Sequence, residues 1–418
     1  MRTLARLLRF LFVRHRSLTI VCILFTVSLI VAFSSGFWLI SRLANVILVG
    51  IPIAYIWARL NLRGLDVTVE RPVDRLQEGD SFSERVTVTN TGWFTKLWLE
   101  IEDPSDLPGL ETERVISLGP RTQRTFRVVS HCERRGLYEV GPIKVTSGDL
   151  FGLFRVSRSF GEAQHVLVYP RAVELQKFSV PPASLPGEGR FRRPSPLLTP
   201  NAASVRDYQP GDSLNRIHWR TTARTGKLMT KLFELDPASD IWLVLDLHGN
   251  AQAGEGDDGT EEHAVRIAAS VARFFLLANR NVGFLAYGKR FHVEEPERGL
   301  PQFTRILEAL ALARAEGDVP LADLLNHEGG RFGRHTTVVT ITPSTEESWV
   351  VSLQQLSGRG VKLATILLEA DTYGGGNALF VFGALAAAGV ETYSVKHGDD
   401  LARVLGAGAE PATASGVL

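Results

Sequence analysis

Apolar and polar positions change period along the chain, and each change marks a new kind of structure. No charged residue stands between Arg16 and Arg42, nor between Arg42 and Arg59. As helices, Ser17 to Phe33 would rise about 26 Å and Phe37 to Ala58 about 33 Å, each close to the roughly 30 Å of a bilayer core. Two transmembrane helices, at 17–33 and 37–58, are therefore predicted, with Ser34-Ser35-Gly36 as the turn between them. Arg42 lies close enough to that turn to snorkel toward the headgroups, and Trp38, Tyr55 and Trp57 fall near the expected interfaces.

After the membrane the period drops to two. Asp66 to Glu70, Glu84 to Thr89, Leu97 to Ile101, Arg124 to Val129 and Val166 to Tyr169 alternate as half-buried strands do. Turn-forming clusters such as Glu78-Gly79-Asp80 and Asn90-Thr91-Gly92 separate them. The pattern predicts an antiparallel β-sandwich domain over 64–170. A Pro- and Arg-rich linker is expected over 171–205, because the prolines between Pro181 and Pro200 forbid a continuous helix or a central strand.

Beyond residue 236 apolar strands alternate with helical runs. Ile241–Leu247, Val282–Tyr287, Thr336–Thr342, Lys362–Leu368 and Glu391–Ser394 read as strands, and Glu261–Ala278, Pro301–Ala315, Glu346–Ser357 and Ala378–Ala388 as helices. That alternation predicts a doubly wound, mostly parallel α/β sheet over 236–405, with 406–418 as a disordered tail.

Charge refines the picture. With 46 basic and 45 acidic side chains the net charge is +1, which excludes a generic polyanion binder, so no nucleic-acid partner is expected. Arg2, Arg6, Arg9, Arg14 and Arg16 precede the first span, and Arg59 and Arg63 follow the second. The positive-inside rule then puts both flanks, and the soluble domains, in the cytoplasm, with the chain in the cell (inner or plasma) membrane. A cleaved signal peptide shares the basic start, but cleavage after Ala32 or Ser34 would leave a second hydrophobic segment still needing the bilayer. Cys22 and Cys132 support neither a disulfide framework nor a thiolate metal site, and His131-Cys132 reads as ordinary strand content.

The most informative stretch runs from Val205 to Arg224. Pro210-Gly211-Asp212 is turn chemistry. Ile217, Trp219 and Thr221 alternate with Arg216, His218 and Arg220, which predicts an extended strand, and Thr225-Gly226 reverses the chain into Lys227–Leu235. A hairpin over 206–235 results, with a basic face that suits a protein partner or an anionic ligand. In the opposing interpretation Asp212 pairs with Arg216 or Arg224, and Trp219 and Tyr208 fill a core.

These residues resemble the domain of unknown function 58 family, whose signature runs Arg-x-Tyr-x-x-Gly-Asp-x-x-Arg-x-Ile-Asp/His-Trp-Lys/Arg-x-Thr/Ser-Ala-Arg. Arg206, Tyr208, Gly211, Asp212, Ile217, His218, Trp219, Arg220, Ala223 and Arg224 fall on it, while Arg216 stands one place beyond the usual arginine. Arg135-Gly136-Leu137-Tyr138 and Asp149-Leu150-Phe151-Gly152-Leu153-Phe154 are similar to the family's Arg-Gly-x-Tyr and Asp-Pro-Phe-Gly-Leu-Phe elements, with Leu150 in place of proline. The resemblance implies a bacterial, membrane-anchored protein with a von Willebrand factor A-like C-terminal domain. It also implies genomic company: a MoxR-type AAA+ ATPase and a transglutaminase-like membrane protein become the expected partners beside the lipid bilayer.

The A-type fold often holds a divalent cation through Asp-x-Ser-x-Ser after its first strand, because hard cations want clustered oxygens. This chain reads Asp246-Leu247-His248-Gly249-Asn250 there, and the later strand ends Thr340-Ile341-Thr342-Pro343-Ser344 with no aspartate. Asp246 is thus a weak metal candidate against a loop-capping role, and no cofactor is expected. Gly254-Glu255-Gly256-Asp257-Asp258-Gly259 mimics a dinucleotide fingerprint, but its carboxylates would repel a pyrophosphate. Gly374-Gly375-Gly376 lacks the Lys-Ser/Thr of a phosphate loop. No Gly-x-Ser-x-Gly elbow occurs, and His263, His292, His327, His335 and His397 show no ligand spacing. The expectation is a non-enzymatic scaffold whose Arg206, Tyr208, Asp212, Arg216, His218, Trp219, Arg220 and Arg224 bind the ATPase. An anionic-ligand site on the same arginines, or an enzyme centre at the strand ends near Asp246, is the alternative.

Overall fold

A computed structural model describes residues 16–35, 37–71, 75–110, 112–181, 202–208, 217–233 and 240–407. The first apolar run forms α1 (Arg16–Ser35) and the second α2 (Trp38–Leu62), and both are long and apolar enough to cross a membrane. Each helix outruns its expected span. α2 continues four residues past Ala58 because its last turns, with Ala58, Asn61 and Leu62 buried, are held by the domain that follows.

That domain contains β1 (Leu65–Glu70), β2 (Arg75–Gln77), β3 (Ser81–Asn90), β4 (Lys96–Glu102), β5 (Arg114–Leu118), β6 (Gln123–His131), β7 (Gly136–Val140), β8 (Ile143–Gly148), β9 (Arg155–Phe160) and β10 (Gln164–Tyr169). Strands β1-β3-β6 make one antiparallel sheet and β5-β4-β8-β9 another. Their inward positions, including Val86 and Val88 of β3, Leu99 and Ile101 of β4, and Val145 of β8, share one core. Leu62, the last residue of α2, belongs to that core. A third sheet, β2-β10-β7, carries a smaller cluster around Phe82, Cys132 and Val168.

Chain contacts divide the molecule into Met1–Tyr169 and Pro170–Leu418. The second unit starts with a correction. Residues 171–181, expected in the linker, pack as an extended strap: Ala172, Leu175 and Phe178 are buried, and the Phe178 ring meets Phe274, Phe275 and Tyr393. The three buried side chains stand three positions apart among polar residues such as Glu174, Gln176 and Lys177, a spacing too sparse to read as a helix or strand. Of the rest of the expected linker, 182–201 lies outside the described residues and 202–205 are not linker but open a strand, Ala202–Asp207.

Next come β11 (Ala202–Asp207), α3 (Trp219–Thr225), β12 (Met229–Phe233), β13 (Asp240–Asp246), α4 (Thr260–Leu277), β14 (Val282–Tyr287), β15 (Phe291–Glu297), α5 (Gly299–Leu312), α6 (Leu321–Glu328), β16 (Thr336–Thr342), α7 (Ser348–Gly358), β17 (Lys362–Leu368), α8 (Leu379–Ala387), β18 (Glu391–Val395) and α9 (Leu401–Gly406). The six-stranded sheet runs β15-β14-β13-β16-β17-β18, parallel except for edge strand β15. Trp242 and Val244 of β13 join Leu325 of α6, Leu353 of α7 and Leu385 of α8 on one face. The intervening Leu243 and Leu245 are also fully buried, so the other face is covered too, where α4 packs against β13, β14 and β16. The last helix, α9, runs to Gly406, the first residue of the expected tail, and residues 408–418 lie outside the described residues.

Candidate functional site

The signature segment differs from the expected hairpin. Strand β12 pairs antiparallel along its length with β11, upstream of the signature's turn. Trp219–Thr225 is a helix. Capping explains the change: the His218 Nδ1 accepts the Thr221 backbone N–H at 3.2 Å and lies 2.6 Å from the Thr221 hydroxyl. At the other end Gly226 adopts φ +70, the left-handed conformation that closes helices and that only glycine takes freely. These signals, with Ala223 and Arg224 as good helix formers, override the period-two pattern. Among the described residues of the expected strand, Ile217 keeps a bridge to Thr230 and is buried, and the His218 N–H donates to the Met229 carbonyl at 2.8 Å. The Thr222 hydroxyl accepts from the Met229 N–H at 3.0 Å, tying α3 to β12.

The residues singled out in the sequence therefore separate. His218 is half-buried and serves as a cap. Tyr208 is half-buried, with its N–H donating to the Leu228 carbonyl at 2.8 Å. Trp219 does not fill a core: 67% of it is exposed, and Arg220 and Arg224 on the same helix are exposed as well. The backbone of Arg206 sits on β11 opposite Thr230. Asp212 and Arg216 lie outside the described residues, and with them the expected pairing of Asp212 to Arg216 or Arg224.

The second location is the carboxyl end of β13, where strand order reverses between β14 and β16; ligands of doubly wound sheets commonly enter there. A crevice of about 240 Å³ opens beside it, lined by His248, Asn250, Gln252, Ser344, Thr345 and Glu346 among others. Asp246 is buried and not free to face it. One carboxylate oxygen accepts from the His248 N–H at 3.0 Å, and the other from the Thr342 hydroxyl at 2.6 Å. The Thr342 Oγ1 in turn accepts from the Ser344 N–H at 2.9 Å. Burial pushes the Asp246 carboxyl above the ordinary range, opposed by the Thr342 and His248 hydrogen bonds.

Chemically this is a loop lock: both oxygens are committed to donors of the chain, and the loops after β13 and β16 are held together through them. A divalent cation needs several clustered oxygens, and among the described residues no group of three His, Cys, Asp or Glu side chains could hold one. Two contributors escaped the sequence reading. Gln252 donates to the Asp246 and His248 carbonyls at 3.1 and 3.4 Å, and Gly317 exchanges hydrogen bonds with Leu247 and Gly249. A Cβ on Gly317 would stand 2.5 Å from the Tyr287 carbonyl oxygen, so only glycine fits. Nothing local in the sequence signals either role.

Residues 204–371 match the family model described as "Protein of unknown function DUF58". The chain is 26% identical over 321 residues to the uncharacterized protein YeaD of Bacillus subtilis (strain 168), spanning 74% of this chain and 77% of YeaD. It is also 26% identical over 197 residues to the uncharacterized protein Rv1480 of Mycobacterium tuberculosis (strain ATCC 25618 / H37Rv), spanning 45% of this chain and 56% of that protein. Among solved structures it is similar to the CARDB domain of PF1109 from Pyrococcus furiosus, at 18% identity and TM-score 0.19, covering 25% of this chain and 94% of that one.

Proposed function

From the premise that residues 204–371 belong to the DUF58 family, we propose that this chain is a membrane-anchored, non-enzymatic scaffold whose soluble domains bind a protein partner, a MoxR-type AAA+ ATPase. The observation that carries this reading is the exposure of Trp219 beside Arg220 and Arg224. Tryptophan and arginine are the side chains most enriched at interface hot spots. Held on a short helix capped at both ends, they form a preordered surface, which lowers the entropy lost on docking.

The partner's identity comes from the motif resemblance, with a transglutaminase-like membrane protein as the second candidate. In this reading α1 and α2 supply the anchor, and the arginines flanking them favour a cytoplasmic side for the soluble domains by the positive-inside rule. We read the six-stranded sheet as von Willebrand factor A-like. Its antiparallel edge strand and the aspartate ending its central strand support that reading.

The test is affinity capture of the tagged full-length protein from its native host in mild detergent, beside the Trp219→Ala/Arg220→Ala variant. An AAA+ ATPase recovered by the wild type and lost by the variant is the expected result; equal recovery by both overturns the assignment. The polar crevice at the strand ends favours a second reading, a small-ligand or enzyme centre near Asp246. Full complementation by Asp246→Ala in a deletion strain would sink it. An anionic ligand on Arg220 and Arg224 instead predicts thermal stabilisation by nucleotide or phosphate that the Arg220→Ala change removes.

A further inference from the structure

The seam between α2 and the sandwich carries a groove that the scaffold reading leaves unused, and the inference drawn from it rests on that reading's membrane anchor. One side of the end of α2 is buried, through Ala54, Ala58, Asn61 and Leu62. Ile53, Ile56 and Leu60 on the other side remain exposed. Two loops reach back along the helix. Phe154, in the β8–β9 turn, packs edge-on against Tyr55 with ring centroids 5.4 Å apart. Phe94, between β3 and β4, does the same to Trp57 at 4.9 Å. At 1.5 Å per residue, Tyr55 stands roughly 10 Å up the helix from Leu62.

Each loop also carries an exposed large apolar side chain: Phe151 is 71% exposed and Trp93 82%. The Phe151 turn is rigid, because Asp149 accepts from the Phe151 and Phe154 N–H groups at 2.9 and 2.6 Å. Exposed aromatic rings beside the end of a span belong at the depth of the membrane interface.

Between α2 and β9 at this level runs an open groove of about 530 Å³. Ile56, Leu60 and Val156 give it an apolar wall, and Arg59, Arg63 and Arg158 line it with charge. All three arginines are exposed, and none forms an ion pair among the described residues, whereas the adjacent Arg155 pairs with Glu100 at 3.1 Å. Arg59 lies over the Tyr55 ring at 5.5 Å and Arg158 over Phe160 at 4.9 Å, which orients two of the guanidiniums before any ligand arrives.

We propose that this groove binds an anionic phospholipid of the surrounding bilayer, the arginines taking its headgroup phosphate and Ile56, Leu60 and Val156 its first acyl carbons. Uncompensated guanidiniums recognise phosphate through paired, charge-assisted hydrogen bonds. The apolar wall selects an amphiphile over free phosphate, and the end of a span is where headgroups are.

The test is thermal unfolding of the full-length protein in detergent with added dioctanoyl phosphatidylglycerol, dioctanoyl phosphatidylcholine or inorganic phosphate. Phosphatidylglycerol alone should raise the midpoint. In Arg59→Gln/Arg63→Gln/Arg158→Gln the concentration giving half that rise should increase about a hundredfold, as three lost basic contacts imply. The single variant Arg158→Gln, on the surface of the sandwich, should show a smaller increase and guards against misfolding of the triple. Equal shifts from both lipids, a shift from phosphate alone, or an unchanged response in both variants overturns the proposal. Alkaline extraction of host membranes separates this from the anchor: the anchor predicts wild type and triple variant alike in the pellet, and release of the wild type would overturn anchor and groove together.

Discussion

The sandwich and the parallel sheet both bury charge, but they neutralise it differently. In the sandwich, the Arg71 guanidinium lies between Glu84 at 3.2 Å and Asp103 at 2.8 Å, all nearly inaccessible. A few strands away Lys96, 2% exposed, donates to the Leu60 and Arg63 carbonyls at the end of α2, at 2.5 and 2.7 Å. Asn61 joins them, its amide bonding to the Leu97 carbonyl and the Ser147 hydroxyl at 2.5 and 2.6 Å. In the parallel sheet, Asp246 has no cation against it and is held by a hydroxyl and an N–H. Full charges in the sandwich close gaps between elements and lock a helix end; the dipoles in the sheet arrange a loop. The first unit is therefore built as a platform joined to its helix, while the second uses its buried carboxylate at Asp246 to order the loops at its strand ends.

The largest effect should follow from removing the central cation. Arg71→Met leaves two carboxylates buried side by side, and breaking a buried pair in this way costs about 3–5 kcal/mol. Glu84, already pushed up by burial and by Asp103, would then take up a proton, so part of the loss should return at acid pH. Denaturant unfolding of the detergent-solubilised chain at pH 7 and pH 5 measures both. Lys96→Met should rank next, at about 2 kcal/mol, since it strands the carbonyls that end α2. Hydrogen exchange should accelerate over residues 58–64 and leave β13–β18 unaffected; exchange spread evenly through both units would contradict the platform description.

How far this difference was legible in the sequence depends on the range of the signal. The spans, the alternation of Val86 and Val88, and the strand-helix alternation after residue 240 are local patterns, and the elements lie where those patterns put them. Lys96 was invisible for a specific reason. Simple alternation turns Leu97, Leu99 and Ile101 inward, but the pairing of β4 with β5 shifts between Lys96 and Leu99 and Trp98 takes φ +49. That irregularity reverses the facing of what precedes it and buries a lysine. Strand β15 was missed because Phe-His-Val-Glu-Glu-Pro-Glu is an edge strand, largely exposed and containing proline. At the candidate site Asp246 and Thr342 were visible as strand ends, but their hydrogen bond joins residues 96 positions apart and no short-range pattern encodes it. The signature segment failed in the opposite sense: two local signals competed, and caps at His218 and Gly226 overrode the alternation.

Thr342→Val probes the other side of the comparison at an intermediate size. Losing the hydroxyl leaves one Asp246 oxygen buried without its donor, at about 1–3 kcal/mol. The sign with pH follows from linkage. The folded-state pKa of Asp246 is already raised, and deleting a bond that favours the carboxylate raises it further, so the folded state holds its proton more tightly than the unfolded chain does. Stability then increases as pH falls through the raised value, and the penalty belongs to the ionised form. The loss in Thr342→Val should be larger at pH 8 than at pH 5. A pH-independent difference would mean that Asp246 is already neutral or that the loop has rearranged around it.

The smallest expected effect is the one that bears on function. Trp219 and Arg220 are exposed on α3, whose capping bonds come from His218, Thr221 and Gly226 and not from either side chain. Trp219→Ala/Arg220→Ala should therefore change unfolding by no more than about 0.5 kcal/mol, as surface substitutions do. A tryptophan that contributes so little to its own fold while standing in water beside two arginines is positioned for something outside the chain. If the double variant instead unfolds at clearly lower denaturant, Trp219 is packing within the molecule, and loss of partner capture by that variant would report a damaged fold and not a broken interface.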